Sequence, residues 1–148
     1  MYNKVNRMFN TIMNIRIIKA RLSEKVKELA HKYPIVYAVL YGSIVEGRYI
    51  PGESDIDLAL KLNVDDKGSA MKVIERLISD LNIDNLDIVL INFAPFSLKY
   101  DILTRGEVIF CRDHEALFKD RLRIIKMYDD WLFISRHFIE REIAKVRR

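Results

Sequence analysis

The chain has 148 residues, of which 50% are hydrophobic and 31% charged, and its formal net charge is +4. This length and balance predict a globular domain with its own core and exclude a disordered chain. A surplus of four positive charges is too small to indicate a nucleic-acid partner, so we expect no direct nucleic-acid binding.

The cysteine count and the hydropathy indicate the cellular compartment in which the protein is expected. Cys111 is the single cysteine, which excludes an internal disulfide and a cysteine metal cage and suits the reducing cytoplasm. No stretch approaches the roughly 20 apolar residues that cross a bilayer. We therefore expect a cytoplasmic protein without a membrane partner.

The first half of the chain alternates between helical and strand patterns. Residues from about 15 to 33 place apolar side chains at spacings of three and four, which predicts an amphipathic helix that Pro34 ends. The apolar run PIVYAVLYGS then predicts a buried strand that stops at a glycine. After a loop with Pro51 and Gly52, SDIDLALKL predicts a second strand.

The second half continues the alternation. DDKGSAMKVIERLISDLN is helical in period, NLDIVLIN predicts a third strand, APFSLKYDILTRG a helix and GEVIFCR a fourth strand. A long helix without proline or glycine follows over about 114–147. The order predicts an α/β fold with a small mixed sheet of about four strands flanked by helices, in a single domain over 1–148 with its core over about 35–112.

Two aspartates lie in the second predicted strand. Asp55 and Asp57 are one residue apart, so their side chains point from the same face of the sheet while Ile56 and Leu58 point into the core. Two carboxylates on one face repel each other unless a hard dication lies between them. Asp87, at the start of the third strand, is the candidate for a third carboxylate.

The short aspartate pattern alone is weak evidence, because aspartate is also common at strand starts, where it caps turns. The preceding Gly42 and Ser43 strengthen it. A strand that ends in Gly-Ser and opens a helix presents free backbone N–H groups to a phosphate, and Gly47 closes the turn. Together, the two parts predict a phosphate cradle that faces a metal-binding strand.

These motifs resemble a known family. GSxxxG followed by SDIDL, with a later aspartate-led apolar strand and GEVIFC, is similar to the nucleotidyltransferase fold of the DNA polymerase beta superfamily. More narrowly, the chain resembles the minimal nucleotidyltransferases that act as antitoxins to HEPN ribonuclease toxins. The resemblance covers about residues 35–112 and departs from the family at Glu46, where relatives often carry an arginine, and at Arg48.

The resemblance implies a site and a reaction. It implies Asp55, Asp57 and Asp87 as catalytic and metal-binding residues for Mg²⁺ or Mn²⁺, and Gly42, Ser43 and Gly47 as binding residues for a nucleoside triphosphate. The reaction implied is transfer of AMP from ATP to a tyrosine hydroxyl of a partner HEPN toxin. A non-catalytic antitoxin that acts by occlusion and an antibiotic nucleotidyltransferase remain alternatives, and a homo-oligomer is possible.

Aromatic and apolar residues leave two further interpretations open. Tyr37, Tyr41 and Tyr49 fit a base-stacking cluster, although the core is their commoner place. The long last helix carries one apolar track expected to cover the sheet, formed by Leu117, Ile125, Tyr128, Leu132 and Ile139. A second stripe, at Ile124, Trp131 and Phe138, is either a partner surface or a second face covered by the domain itself.

Overall fold

The computed structural model describes residues 1–147, and for Tyr2 only the backbone. The elements are α1 (Tyr2–Leu29), β1 (Ile35–Tyr41), α2 (Ser43–Glu46), β2 (Ile56–Leu62), α3 (Lys67–Leu81), β3 (Leu86–Leu90), a short 3-10 turn (Ile91–Phe93), α4 (Phe96–Arg105), β4 (Glu107–Cys111) and α5 (His114–Val146). The predicted α/β class, the mixed sheet and the long C-terminal helix are confirmed.

The strands form one sheet in the order β3-β2-β1-β4. β1 is antiparallel to β2 and to β4, and β2 is parallel to β3. Tyr41 at the end of β1 lies opposite Asp57, and Asp57 lies opposite Asp87 on β3. We call this side of the sheet, where β1 ends and β2 and β3 begin, the acidic end.

Alternation along the strands divides the core into two layers. Residues such as Leu40 and Leu58 face α1 and α3, and residues such as Val39 and Ala59 face α4 and α5. Because side chains alternate between the faces of a strand, Asp57 lies on the same face as Ala59, which α4 and α5 cover. The acidic residues therefore point to the layer that contains these two helices.

Local signals fix where the later helices begin and end. Asp66 accepts a hydrogen bond from the backbone N–H of Ser69 at 2.8 Å and begins α3. Asp113 caps α5 in the same way, through the N–H of Ala116 at 3.0 Å. Gly106 ends α4 as predicted, and a Cβ there would overlap Val39. The glycine is needed for this close packing of α4 on β1.

α1 differs most from its prediction over about 15–33. The helix starts at Tyr2 and ends at Leu29, four residues before Tyr33, which Pro34 disfavours in a helix. Residues 2–14 contain no proline or glycine and carry apolar residues at helical spacing, so they extend the helix. Lys19 reaches Glu107 and Arg112 donates to the Ala30 carbonyl, so α1 runs in the same direction as β4 and its first half extends past the acidic end.

The expected division of α5 into two tracks is wrong. Leu117 is buried as predicted, but Ile125, Leu132 and Ile139 are exposed. Of the second stripe, for which both a partner surface and a face covered by the domain were open, Ile124 is buried in the core with α4, whereas Trp131 and Phe138 are exposed. Leu132 and Ile139 are exposed because α5 is longer than the layer it covers, so only its first half has a sheet and a neighbouring helix to pack on. None of the helices within residues 1–147 is both long and apolar enough to span a membrane.

Candidate functional site

The candidate site begins with two carboxylates on neighbouring strands. Asp57 on β2 and Asp87 on β3 are register partners in the parallel pair. Neighbouring strands lie about 4.8 Å apart, and residues in register point to the same face. The sheet therefore holds these two acids side by side, as the strand pattern predicts for acids at neighbouring strand starts.

The carboxyl group of Asp57 lies in an environment that disfavours its charge. Burial raises its pKa above the ordinary value of 3.8, and the negative charges of Asp87, Asp55 and Glu46 raise it further. Within residues 1–147, no cation or hydrogen-bond donor offsets this effect. Asp57 is thus an electrostatically unsatisfied acid, which a bound cation would relieve.

Asp55 lies just before β2 and is exposed, so it contributes charge to Asp57 from the loop rather than from the strand. Among residues 1–147, no group of three or more His, Cys, Asp or Glu side chains is placed to hold a metal ion. The pair formed by Asp57 and Asp87 is what the fold fixes, and metal binding by all three aspartates stays a prediction.

Gly42 forms the wall of the site beside Asp57. Its φ of 73° and ψ of −149° belong to a region that is essentially restricted to glycine. A Cβ at this position would overlap the Asp57 carboxylate. The backbone after β1 thus lies directly against the acid, and any side chain at position 42 would have to displace the Asp57 carboxylate.

The rest of the Gly-Ser segment is a single turn. Ser43 opens α2, and the Gly42 carbonyl accepts hydrogen bonds from the N–H groups of Val45 and Glu46 at 3.1 and 3.0 Å. Gly47 ends the turn with a left-handed φ of 75°, and nothing lies within 4 Å of where its Cβ would be. Arg48 forms an ion pair with Glu46. The two residues at which this chain departs from the family pattern are therefore paired with each other.

Tyr41 is a residue of the site that the sequence placed among core or stacking aromatics. Burial, followed by the charges of Asp57, Asp87 and Asp101, raises the pKa of its hydroxyl to about 12. Tyr37 and Tyr49 are buried as core residues, so no cluster of these three tyrosines forms. The sequence signal for Tyr41 is its position at the end of the first predicted strand. The antiparallel register of β1 and β2 places it opposite Asp57.

These residues fit a hard dication that carries a phosphate. Carboxylate oxygens are the ligands that Mg²⁺ and Mn²⁺ prefer, and Mg²⁺ commonly uses one or two carboxylates and completes its shell with phosphate oxygens and water. The uncompensated charge of Asp57 would favour such a group, and the lack of a side chain at Gly42 lets the backbone lie directly against this carboxylate. The sequence-predicted residues Gly42, Asp57 and Asp87 are thus brought together, while Ser43 and Gly47 belong to the adjoining turn.

Comparison with known proteins gives the same fold. Residues 24–115 match the family described as Polymerase beta, Nucleotidyltransferase. No curated protein matches the chain in sequence.

Among solved structures, a toxin–antitoxin complex with AMP-PNP is similar, with 20% identity, 82% of this chain and 98% of that chain covered, and a TM-score of 0.61. The structure of a tri-AMPylated HEPN toxin from Shewanella oneidensis in complex with an MNT antitoxin is also similar, with 18% identity, 84% of this chain and 98% of that chain covered, and a TM-score of 0.58. An MntA-HepT toxin–antitoxin structure has 19% identity, 82% and 97% covered, and a TM-score of 0.56. At these identities the likeness shows a shared fold.

Proposed function

Because the chain belongs to the polymerase beta nucleotidyltransferase family, we propose that it is a metal-dependent enzyme that transfers AMP from ATP to a hydroxyl group of a partner protein. The observation that carries this proposal is the in-register pair of Asp57 and Asp87 against the wall formed by Gly42. No structural need explains two adjacent acids without a counter-charge at a strand start.

Each residue has a task in the proposed reaction. Asp57 and Asp87 would hold Mg²⁺ or Mn²⁺, with Asp55 supplying further negative charge, and the bound metal would stabilise charge on the phosphate oxygens. Gly42 would admit the triphosphate close to the backbone, and the N–H of Ser43 would donate to it. Asp87, the more exposed acid, would accept the proton of the attacking hydroxyl. The acceptor oxygen forms a bond to the α-phosphorus, and the bond to the pyrophosphate oxygen breaks.

The partner we propose is a HEPN-type toxin, with a tyrosine hydroxyl as acceptor. Support comes from the structures of similar fold, one of which is an MNT antitoxin in complex with an AMPylated HEPN toxin. Addition of AMP would place a bulky anion on the toxin. At a site where RNA must enter, the negative charge and the size of this group would both oppose RNA binding. The proposed biological role is therefore that of an antitoxin.

A mixing experiment tests the reaction. The purified chain, ATP, Mg²⁺ and the product of the adjacent gene are incubated, and the partner is weighed intact by mass spectrometry before and after its ribonuclease activity is measured. We expect the partner to gain AMP and to lose activity, and we expect neither change with Asp57→Asn. A partner that stays unmodified while wild-type protein, ATP and Mg²⁺ are present would refute the proposed transfer.

Occlusion without chemistry is a second candidate, and the exposed half of α5 favours it. Phe133 and Phe138 are 66% and 63% exposed, which suits a protein-binding surface. Occlusion predicts that the partner is silenced equally well without ATP. The same incubation without nucleotide therefore separates the two candidates.

A further inference from the structure

A cavity of about 460 Å³ lies between α4 and α5, on the side of the sheet to which Asp57 points. Four aromatic side chains line it, namely Phe96, Tyr100, Tyr128 and Trp131. This volume falls in the range of small-molecule sites, which are mostly apolar with a few polar groups. Because no residue of the proposed metal and phosphate site lines it, the cavity adds a separate surface.

Three of these aromatic rings stack in series, and the contacts become looser from Tyr100 toward Trp131. Tyr100 and Tyr128 lie parallel, with ring centroids 4.0 Å apart and an interplanar angle of 19°. Trp131 continues the series at 5.8 Å from Tyr128, tilted by 31°. Its side chain is 53% exposed, so the indole presents an open apolar face, whereas the tyrosine pair is closed. A further planar ring would extend the stack at the indole.

The polar side of the cavity points to the acidic end. Asp101 and Arg105 line it, one turn apart on α4, and their charged groups lie 3.3 Å from each other. The next residue, Gly106, packs against Val39 and the Leu40 carbonyl of β1, two residues before Gly42. From Arg105 back to Tyr100 the helix rises by only about 7 Å. One molecule can thus reach from the phosphate side of the site to the aromatic side of the cavity.

We propose that this cavity receives the base of the bound nucleotide, which stacks on Trp131 while its polar edge meets Asp101 and Arg105. The inference rests on the proposed function only in taking a nucleoside triphosphate as the ligand of the acidic end. Stacking suits any base, because each has a π-face, and purines offer the larger surface.

Asp101 adds selectivity to the stacking. An ionised carboxylate only accepts hydrogen bonds, so it favours a base edge with an exocyclic amino group. Adenine, guanine and cytosine carry one, and uracil does not. Arg105 holds the Asp101 carboxylate in place through their ion pair. The cavity therefore predicts that ATP, GTP and CTP bind more tightly than UTP.

The chain reports on this site directly, because Trp131 is its only tryptophan. Fluorescence of the wild-type protein is titrated with a non-hydrolysable ATP analogue, with the UTP counterpart and with inorganic triphosphate, each with Mg²⁺. We expect the ATP analogue to quench the emission, the UTP analogue to bind about tenfold more weakly, and inorganic triphosphate to leave the emission unchanged.

Calorimetry with two matched variants completes the test. Trp131→Ala removes the stacking surface, and we expect it to weaken the ATP analogue about tenfold while leaving inorganic triphosphate unaffected. Phe118→Ala, at a 61% exposed aromatic on the first turns of the same helix, should change affinity by less than about twofold. Asp101→Asn should narrow the difference between the ATP and UTP analogues.

The outcomes separate this inference from the proposed function. Equal affinity of wild type and Trp131→Ala for the ATP analogue, with binding still lost when Gly42 is substituted, would overturn the base site and leave the nucleotidyltransferase proposal standing. A wild-type protein that binds neither nucleotide nor triphosphate would overturn both. Quenching by inorganic triphosphate alone would also overturn the base site, because it would show that the indole responds to phosphate.

Discussion

Asp57 and Asp80 lie near opposite ends of the sheet and in opposite electrostatic environments. Asp80 on α3 accepts hydrogen bonds from the Lys32 ammonium at 2.7 Å and the Tyr33 hydroxyl at 2.5 Å, and these bonds, that from Lys32 first, lower its pKa. Burial and neighbouring acids raise the pKa of Asp57 instead. Asp80 is an acid whose partners come from the fold, and Asp57 is an acid whose partner must come from outside.

The difference gives a criterion by which a candidate functional acid can be recognised without a bound ligand. A carboxylate with a structural role joins two parts of the chain, as Asp80 joins α3 to the turn that follows α1. Asp57 makes no side-chain hydrogen bond or ion pair with the described residues 1–147, and the fold tolerates its unfavourable charge. Functional sites commonly carry such a cost, which is why removing the charge can stabilise a protein while it destroys activity.

Activity should separate the two acids most strongly. Asp57→Asn keeps the shape of the side chain and removes the charge that would hold the metal, so we expect AMP transfer to fall by at least about a hundredfold. Asp80→Asn should leave transfer unchanged, because Asp80 lies at the far end of the sheet. Rates are measured with labelled ATP and the partner protein. A comparable loss in both variants would show that the contrast does not reflect function.

Gly42 and Gly47 allow the wall beside Asp57 to be tested with a matched control. Both have a positive φ, so alanine strains the backbone at each, by about 1–2 kcal/mol in the left-handed conformation of Gly47 and by more at Gly42, whose conformation is essentially restricted to glycine. Only at Gly42 would the added Cβ meet the Asp57 carboxylate. We expect Gly42→Ala to weaken binding of the ATP analogue by about tenfold or more and Gly47→Ala to affect stability alone. Equal affinities in calorimetry would contradict the close approach of phosphate at this position.

Metal should stabilise the wild-type protein through Asp57. Adding Mn²⁺ with the ATP analogue neutralises the uncompensated acids, so the melting temperature should rise, by an amount that grows with ligand concentration. The shift should shrink strongly in Asp57→Asn and stay intact in Asp80→Asn. Differential scanning fluorimetry with a chelator as reference measures both. An undiminished shift in Asp57→Asn would place the metal elsewhere.

Much of this site could be predicted from local pattern. Strand alternation places Asp57 on one face, and the start of β3 brings in Asp87, because parallel neighbours begin at the same end of the sheet. The glycine that precedes Ser43 was sufficient to indicate a close approach. These features depend on residues that are near one another in sequence or on the two-residue period of a strand, and both can be read directly from the sequence.

The features that were missed depend on contacts between distant helices. The sequence leaves open whether Ile124 faces a partner or its own domain, and its burial against α4 decides this only in the folded chain, as does the stack of Tyr100 with Tyr128. A helical period in the sequence shows that one face of a helix is apolar, but it does not show which element covers that face. The early start of α1 was missed for a related reason, since residues 2–14 are helical without a core to pack against.

The smallest effect we predict is an opposite dependence of stability on pH in the two variants. The pKa of Asp80 is lowered in the fold, so its contribution to stability is complete above its ordinary pKa of 3.8 and is lost as the pH falls below that value. The pKa of Asp57 is raised, so its ionisation destabilises the fold as the pH rises past 3.8 through the raised value. At neutral pH, Asp80→Asn should therefore melt below the wild type and Asp57→Asn above it. Both differences should shrink as the pH falls below 3.8, the one for Asp80→Asn at the lower pH because the pKa of Asp80 is lowered. Thermal melts in metal-free buffer test this, and a destabilised Asp57→Asn at neutral pH would mean that the fold does supply this acid with a partner.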